Sequence, residues 1–427
     1  MPKRSKVGKV DIIMKLIADL HLHSKYSRAT SKEMNLEVMS LWSKFKGIDI
    51  LGTGDFTHPL WFGELEQKLE EQEKGFFKLK SGKENVYFLL TSEISCIYSK
   101  GGRLRKIHLV LIAPSLEVVR KINNTLAGRG NLFSDGRPIL GMDAKELCKI
   151  VLDISSEVII VPAHVWTPWF SLFGANSGFD SVEECFEEIT PNIFAIETGL
   201  SSDPQMNWRL FELDKMAIIS NSDAHSPSKL GREATVFDIE PNFDSLRAAL
   251  KNPKEGNEIL YTIEFYPEEG KYHYTGHRNC NVIQSPEETI KNGATCPNCG
   301  KKLTVGVMHR VQELANRPED YKDTKRPPFK SLVPFLEIIA ESQGVLVGSK
   351  KVQSEYLNLV GRFKGEFNIL LDEPIENIAK ENEKVAEGIK RMREGNINIS
   401  PGFDGVFGTV KIWQETEQLK RKQSSLF

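Results

Sequence analysis

The chain has 427 residues, 27% of them charged, and a formal net charge of −2, the composition of a globular protein large enough for two or three domains. Near-neutrality excludes a globally basic nucleic-acid binder but leaves room for a local basic groove. The first residues are polar and basic with no secretory core, and no run approaches a membrane span, so a cytoplasmic protein without membrane contact is expected.

Residues 1–13 read as a flexible leader. From residue 14 to 255 short apolar runs of strand length recur: Leu16 to Ala18, Ile48 to Gly52, Val86 to Leu90, Ile107 to Ala113, Val158 to Val161, Ile193 to Ile196 and Met216 to Ile219. Between them lie segments with helical spacing, Leu36 to Lys46, Ala144 to Leu152 and Phe243 to Leu250, which points to an α/β fold with alternating strand and helix. One pair breaks the alternation, because Ser99-Lys100-Gly101-Gly102 joins two runs as a hairpin or extended loop. The expectation is a parallel, barrel-like sheet with local irregularities.

Functional side chains in such barrels come from the C-terminal strand ends and the loops that follow. His21 and His23 end the first run, and residues two apart on a strand face one side, so both imidazoles can meet one ion. Asp55 and His58, Glu93, His164, and Asp223 with His225 follow later runs, while His108 opens its own run after the hairpin. All histidines before residue 255 fall in this set, whereas satisfied structural histidines would scatter into helices and remote loops. Glu197 also ends a run, with nothing to distinguish it from a loop carboxylate. Imidazoles mixed with carboxylates suit zinc, manganese or iron, with magnesium also admissible, and a carboxylate such as Glu93 can bridge two ions. His21, His23, Asp55, His58, Glu93, His108, His164, Asp223 and His225 exceed what one ion takes, so two or three divalent ions are expected. Such clusters clamp phosphoester oxygens and activate water. Asp223, which can ligate and orient that water, is the first candidate for catalysis, with His23 and Glu93 beside it.

Residues 256–307 read as a separate small module. His277 with Cys280, and Cys296 with Cys299, are two close ligand pairs of the kind that build a structural zinc site, with His273 a nearby alternative for one position. Residues 308–413 read as a helical domain, with helical spacing in Val311 to Ala315, Leu332 to Ala340, Glu355 to Phe363 and Ile375 to Met392. Lys322 to Pro328 reads as a solvated linker. Gly348-Ser349-Lys350-Lys351 opens a helix and could hold a DNA phosphate through Lys350 and Lys351, or be a plain turn. Pro401 to Gly408 is a glycine-rich turn that lacks a nucleotide-binding fingerprint.

The motifs Asp19-Leu20-His21-Leu22-His23, Gly54-Asp55-Phe56-Thr57-His58, Glu93, His108, His164 and Asp223-Ala224-His225 resemble the PHP (polymerase and histidinol phosphatase) superfamily over residues 14–255. The resemblance implies a distorted (β/α)7 PHP barrel with up to three ions. His21, His23, Glu93 and Asp223 would share one, Glu93, His108 and His164 a second, and His58 with His225 a third. The family commonly has another histidine shortly after His23, but here the segment is Ser24 to Ala29, which leaves the third ion the least complete. The whole arrangement, including the His/Cys module, Pro328 to Pro334 and the Pro401 to Gly405 turn, resembles the endonuclease Q family. That resemblance implies an archaeal-type DNA repair endonuclease that cuts 5′ to deaminated bases (uracil, hypoxanthine, xanthine) and abasic sites. A hydroxide held by the metals would attack phosphorus and leave a 3′-hydroxyl and a 5′-phosphate. Such an enzyme extrudes the damaged nucleotide, and Tyr26, Trp166 and Trp169 could stack on it, with rim packing the bland alternative. Residues 414–427 form a tail, in which Gln423 to Phe427 resembles the first half of a sliding-clamp-binding peptide. The rival readings are a small-molecule phosphatase of the same superfamily and a binding module with a non-catalytic metal core.

Overall fold

The structure, a computed structural model, describes residues 15–414. The leader and the clamp-like tail lie outside the described residues. The chain opens with β1 (Lys15–Asp19) and β2 (Ile50–Gly52), then an outer hairpin of β3 (Leu69–Glu73) and β4 (Phe76–Leu79). The long strands β5 (Tyr87–Lys100) and β6 (Arg103–Ala113) follow, then β7 (Ile139–Leu140), β8 (Ile159–Pro162), β9 (Ala195–Glu197), β10 (Ala217–Ile219), β11 (Ala234–Asp238) and β12 (Glu258–Glu264). β1 is parallel to β2 and β2 to β5, and β5 and β6 form the antiparallel hairpin at Lys100 and Arg103, all as expected, but β11 runs antiparallel to both β1 and β12, and β6 antiparallel to β8. The parallel pair β9–β10 bridges β8 and β11, through Val165 N–H to Glu197 O at 3.1 Å and Ser220 N–H to Thr235 Oγ1 at 2.9 Å.

The mixed strand sense goes beyond the expected local irregularities for a physical reason. Continuous apolar runs signal burial on both faces, and burial alone does not encode direction. Val86 to Leu90 and Ile94 to Tyr98 also prove to be one strand. The polar interruption Thr91-Ser92-Glu93 is no turn, since those residues are buried on the strand and paired across the β5–β6 ladder.

Helices cover the sheet where spacing placed them. Leu36–Lys46 is capped by the Asn35 side chain on Val38 N–H and ends at Gly47, whose φ of 81° closes the last turn without a Cβ penalty. Ala144–Ile154 and Phe243–Lys251 match their expected helices within a turn. Beyond residue 255 the sheet continues through β12, then a small hairpin of β13 (Thr275–His277) and β14 (Val282–Gln284), and returns as β15 (Phe329–Ser331), parallel to β12. The helical part comprises Phe335–Gln343, Lys350–Arg362, Ile375–Glu381 and Glu383–Arg393, the last two split where Asn382 caps the second on Val385 N–H. The strands β16 (Asn398–Ser400) and β17 (Thr409–Lys411) flank the glycine-rich turn.

Candidate metal centre

The loop after β1 and the loop after β10 are zipped together. Asp223 N–H donates to His21 O at 2.8 Å, and His23 N–H donates to Ala224 O at 3.0 Å. Asp19 fixes the second loop by accepting from Ser222 N–H at 3.0 Å and Gly231 N–H at 2.9 Å, and Arg232 donates to the carbonyls of Ser222 and Asp223. Asp223 sits at φ 47°, a left-handed turn that its short polar side chain tolerates. The outcome is a tight group: His23 Nε2 lies 3.1 Å from Asp223 Oδ1, and His21 Nε2 lies 3.9 Å from it.

A second group forms on the long hairpin. The register pairs Glu93 with Val110 and Ser95 with His108, so Glu93 and His108 are diagonal neighbours on one face. His164, at φ 32° just past β8, completes it, its backbone N–H donating to Glu197 Oε2 at 2.9 Å. Glu93 joins the two groups. Its Oε1 is 2.5 Å from His108 Nδ1 and 3.1 Å from His164 Nε2, while its Oε2 is 3.3 Å from His23 Nε2 and 3.6 Å from His21 Nε2. One oxygen per group is the geometry of a bridging carboxylate.

The donors fit divalent metal ions. His21 Nε2, His23 Nε2 and Asp223 Oδ1 are buried without a hydrogen bond, and three converging orphans are costly unless something binds them. Burial pushes the Glu93 carboxyl up, but His108, Arg137 and His21 outweigh it and hold it well below the usual range. Burial likewise works against ionisation at Asp223, and the nearby His23 and His21 imidazoles overcome it. Burial drives the His108 imidazole down to about 4, against the opposing pull of the Glu93 carboxylate.

Behind the first histidines stand two carboxylates with an orienting role. Glu197 accepts from His21 Nδ1 at 2.9 Å, and Asn221 Nδ2 holds the other Glu197 oxygen at 2.8 Å. Asp55, expected among the ligands, instead bonds His23 Nδ1 at 3.0 Å, and its second oxygen is taken by the Ser24 N–H, the Ser24 hydroxyl and the Ser27 hydroxyl. Its oxygens are committed to these partners, so it orients a ligand rather than acting as one. The only advance hint of Glu197 was its place at a strand end. Arg137, whose Nη1 lies 3.1 Å from Glu93 Oε2, had no sequence signal at all.

The expected third pair, His58 and His225, falls in no group of three mutually close donors among the described residues. The mutually close donor groups in this barrel are His21, His23 and Asp223, and Glu93, His108 and His164. His58 stacks on Tyr26 at 4.5 Å, and His225 turns its Nδ1 to Asp223 O at 2.9 Å while its ring lies 4.5 Å from that of His23. Of the aromatics, Tyr26 donates its hydroxyl to Glu64 at 2.8 Å and packs at the rim. Trp166 is corrected: it is 1% exposed, its Nε1 donates to Asn207 Oδ1 at 2.8 Å, and it packs on Phe173, so it is core and cannot stack on a base. Trp169 is exposed beside a cavity of about 450 Å³ that also includes Arg28, Arg137, His108, His164 and Asp223. Lys350 and Lys351 are exposed on the first turn of their helix, capped by Ser349.

The small module brings His277, Cys280, Cys296 and Cys299 together with mutually close donor atoms. His277 ends β13, Cys280 follows in a single 3-10 turn, and Gly300 N–H to Cys296 O at 2.9 Å folds the second knuckle. Such a closed set of four could hold a metal ion; His273 stays outside it, buried against Tyr274.

A barrel that gathers imidazoles around a bridging carboxylate at its strand ends defines a metal-dependent phosphoesterase of the PHP superfamily. A family model described as PHP-associated matches residues 208–254, and one described as MJ0043 C-terminal domain matches residues 334–396. Among solved structures, the chain is similar to the lesion-specific endonuclease PfuEndoQ from Pyrococcus furiosus, at 32% identity and TM-score 0.83, covering 96% of this chain and 99% of that one. It is similar also to endonuclease Q in complex with a 27-mer duplex carrying an abasic lesion at the active site, at 33% identity and TM-score 0.82, covering 94% and 98%. The chain belongs to the endonuclease Q family of metal-dependent endodeoxyribonucleases. Its curated relatives include the uncharacterized protein MJ0043 of Methanocaldococcus jannaschii, 33% identical over 271 residues, where the match covers 62% of this chain and 33% of that protein. YqxK of Bacillus subtilis is 28% identical over 413 residues, covering 93% and 99%.

Proposed function

We propose that the chain is a DNA repair endonuclease that cuts the phosphodiester 5′ to deaminated bases (uracil, hypoxanthine and xanthine) and to abasic sites, leaving a 3′-hydroxyl and a 5′-phosphate. The observation that carries this reading is the pair of ligand groups joined by Glu93, of which His108, His164 and Asp223 line the 450 Å³ cavity. His21, His23 and Asp223 would hold one divalent ion and Glu93, His108 and His164 another, zinc, manganese, magnesium or iron being compatible with the donors. Ions held there supply Lewis-acid stabilisation of phosphoryl oxygens and acidify water. Asp223 is 27% exposed at the cavity, so its carboxylate can also orient the attacking water. Arg137 compensates Glu93 and is 29% exposed beside it, placed to attract a non-bridging phosphate oxygen.

A base inside a duplex shows an enzyme little of itself, and extrusion of the nucleotide into the cavity solves this. Arg28, 75% exposed at the cavity, would meet the strand, and Lys350 and Lys351 would contact the phosphate backbone farther away. The His277, Cys280, Cys296 and Cys299 set would hold a structural zinc. No helix among the described residues is long and apolar enough to cross a membrane, and the reading places the enzyme in the cytoplasm with the DNA.

The test is to incubate the protein with labelled duplexes carrying one uracil, hypoxanthine or abasic site, with and without chelator, and to map the cut. A single metal-dependent nick immediately 5′ to each lesion is expected. Phosphate release from small monoesters without any nicking of these duplexes would overturn the reading in favour of a phosphatase.

A further inference from the structure

A second cavity, of about 800 Å³, adjoins the one at the metal centre and shares with it the wall formed by Thr167, Trp169, Phe170, Leu200 and Ser201. Its remaining walls come from the barrel (Lys106, Lys229, Arg232), the small module (Glu269 to Tyr272), Glu337 of the helical part and the glycine-rich turn, so distant stretches of chain meet there. Aromatic rings dominate. Trp169 stands edge-on to Tyr272 at 5.4 Å, and Phe407 is 70% exposed across from them. Cations lie over these rings: Lys271 is 5.8 Å from the Tyr272 centroid and 5.5 Å from that of Phe407, and Lys106 is 4.9 Å from Phe170. Arg232, which holds the carbonyls of Ser222 and Asp223, reaches the same cavity, and the carboxyls of Glu269 and Glu337 lie on its wall.

Phe407 is held there by design of the backbone. The turn is tied to the small module by Gly402 N–H to Glu268 O at 2.8 Å, Gly405 N–H to Lys271 O at 2.8 Å and Gly408 N–H to Glu269 O at 3.1 Å. Asp404 accepts from Arg278 N–H at 2.7 Å. Gly402 and Gly408 leave no room for a Cβ beside the carbonyls of Gly270 and Glu268, which accounts for the glycines of this turn. A large apolar ring fixed in solvent at a cavity is the mark of a binding surface. Stacking rings interleaved with cations are the chemistry that takes nucleobases on a polyanionic strand.

We propose that this second cavity is a base-stacking subsite that takes a nucleobase flanking the lesion on the substrate DNA, an inference that rests on the endonuclease reading above. The nucleotide at the cut bond occupies the cavity beside the metals, and its neighbour, unstacked by the extrusion, is received on Trp169, Tyr272 and Phe407.

Two measurements test this. In nicking kinetics on a single-uracil duplex, Phe407→Ala raises KM by about 5- to 150-fold, the range that loss of one base–aromatic stack produces, with little change in kcat. Phe407→Tyr restores KM, and Trp169→Ala on the opposite wall reproduces the defect. In an Asp223→Asn background that binds without cutting, 2-aminopurine placed at either neighbour of the lesion reports stacking. Its fluorescence is quenched at one of these positions, and Phe407→Ala abolishes the quenching. Unchanged KM in both alanine variants, or quenching indifferent to Phe407, overturns the inference while leaving the endonuclease intact. Absence of nicking by the unmodified protein overturns the parent reading and this one with it.

Discussion

The barrel centre draws its candidate ligands from β5, β6 and the loops after β1, β8 and β10, spread from His21 to Asp223, whereas the small module takes all four of its donors between His277 and Cys299. The first is open, with Asp223 partly exposed to a cavity and Glu93 shared between two groups. The second is a closed set with no such shared member. The difference teaches what each must do. A site that only folds a short segment needs four donors and nothing else, while a site that must keep ligand positions free for substrate needs outside support for every donor. That support is Glu197 behind His21, Asp55 behind His23 and Asp19 under the Asp223 loop.

The largest test of this contrast is Asp223→Asn, which is expected to lower nicking by about a thousandfold or more, because it removes charge where the transition state needs it. Wild-type nicking by this variant with metal supplied would erase the distinction between the open and closed sites. Next in size, Glu197→Gln and Asp55→Asn should weaken metal binding at the barrel by roughly 10- to 100-fold, with activity recovered at high metal concentration. Metal titrations followed by nicking check this, and a loss that metal cannot restore would make these residues ligands or catalysts themselves. Cys299→Ser should remove one metal equivalent per chain and the hydrogen-exchange protection of residues 275–304, while the barrel strands keep theirs. Loss of protection throughout the barrel would show that the two regions are not independent. The smallest effect belongs to Trp166→Phe, which leaves Asn207 Oδ1 without its donor and should cost about 1–3 kcal/mol of stability with lesion preference unchanged, read by denaturant unfolding beside nicking assays.

How legible each region was follows from the same contrast. His277, Cys280, Cys296 and Cys299 were visible as two close pairs because thiols and imidazoles at knuckle spacing have few other uses, and the structure gathers all four. The barrel histidines were visible as a set, all but His108 through their position at strand ends, and His108 proves to lie in the middle of β6. What the chain order hid was rank. Asp55 and Glu197 are both carboxylates at strand ends, and only their partners in space put both behind a histidine rather than on an ion. Arg137 lies in a loop with no periodicity to single it out, and its role exists only because Glu93 is close by. Trp166 and Trp169 looked alike in sequence, yet one is in the core and the other at the rim, a difference of three residues set by the tight turn in which Thr167 N–H meets His164 O. The α/β class was legible, and strand direction was not, for buried apolar strands carry the same pattern either way.

The parallel pairing of β12 with β15, with Thr262 beside Phe329 and Glu264 beside Ser331, has a kinetic side. Parallel neighbours require a long crossover, and here residues 265–328 supply it. Closing so long a loop before its contacts form is entropically slow, so β15 is expected to be among the last strands to dock. A metal ion held by His277, Cys280, Cys296 and Cys299 would tie off part of that crossover in advance and shorten the search. Metal supply during synthesis would therefore govern how fast the chain finishes folding as well as what it can later cut.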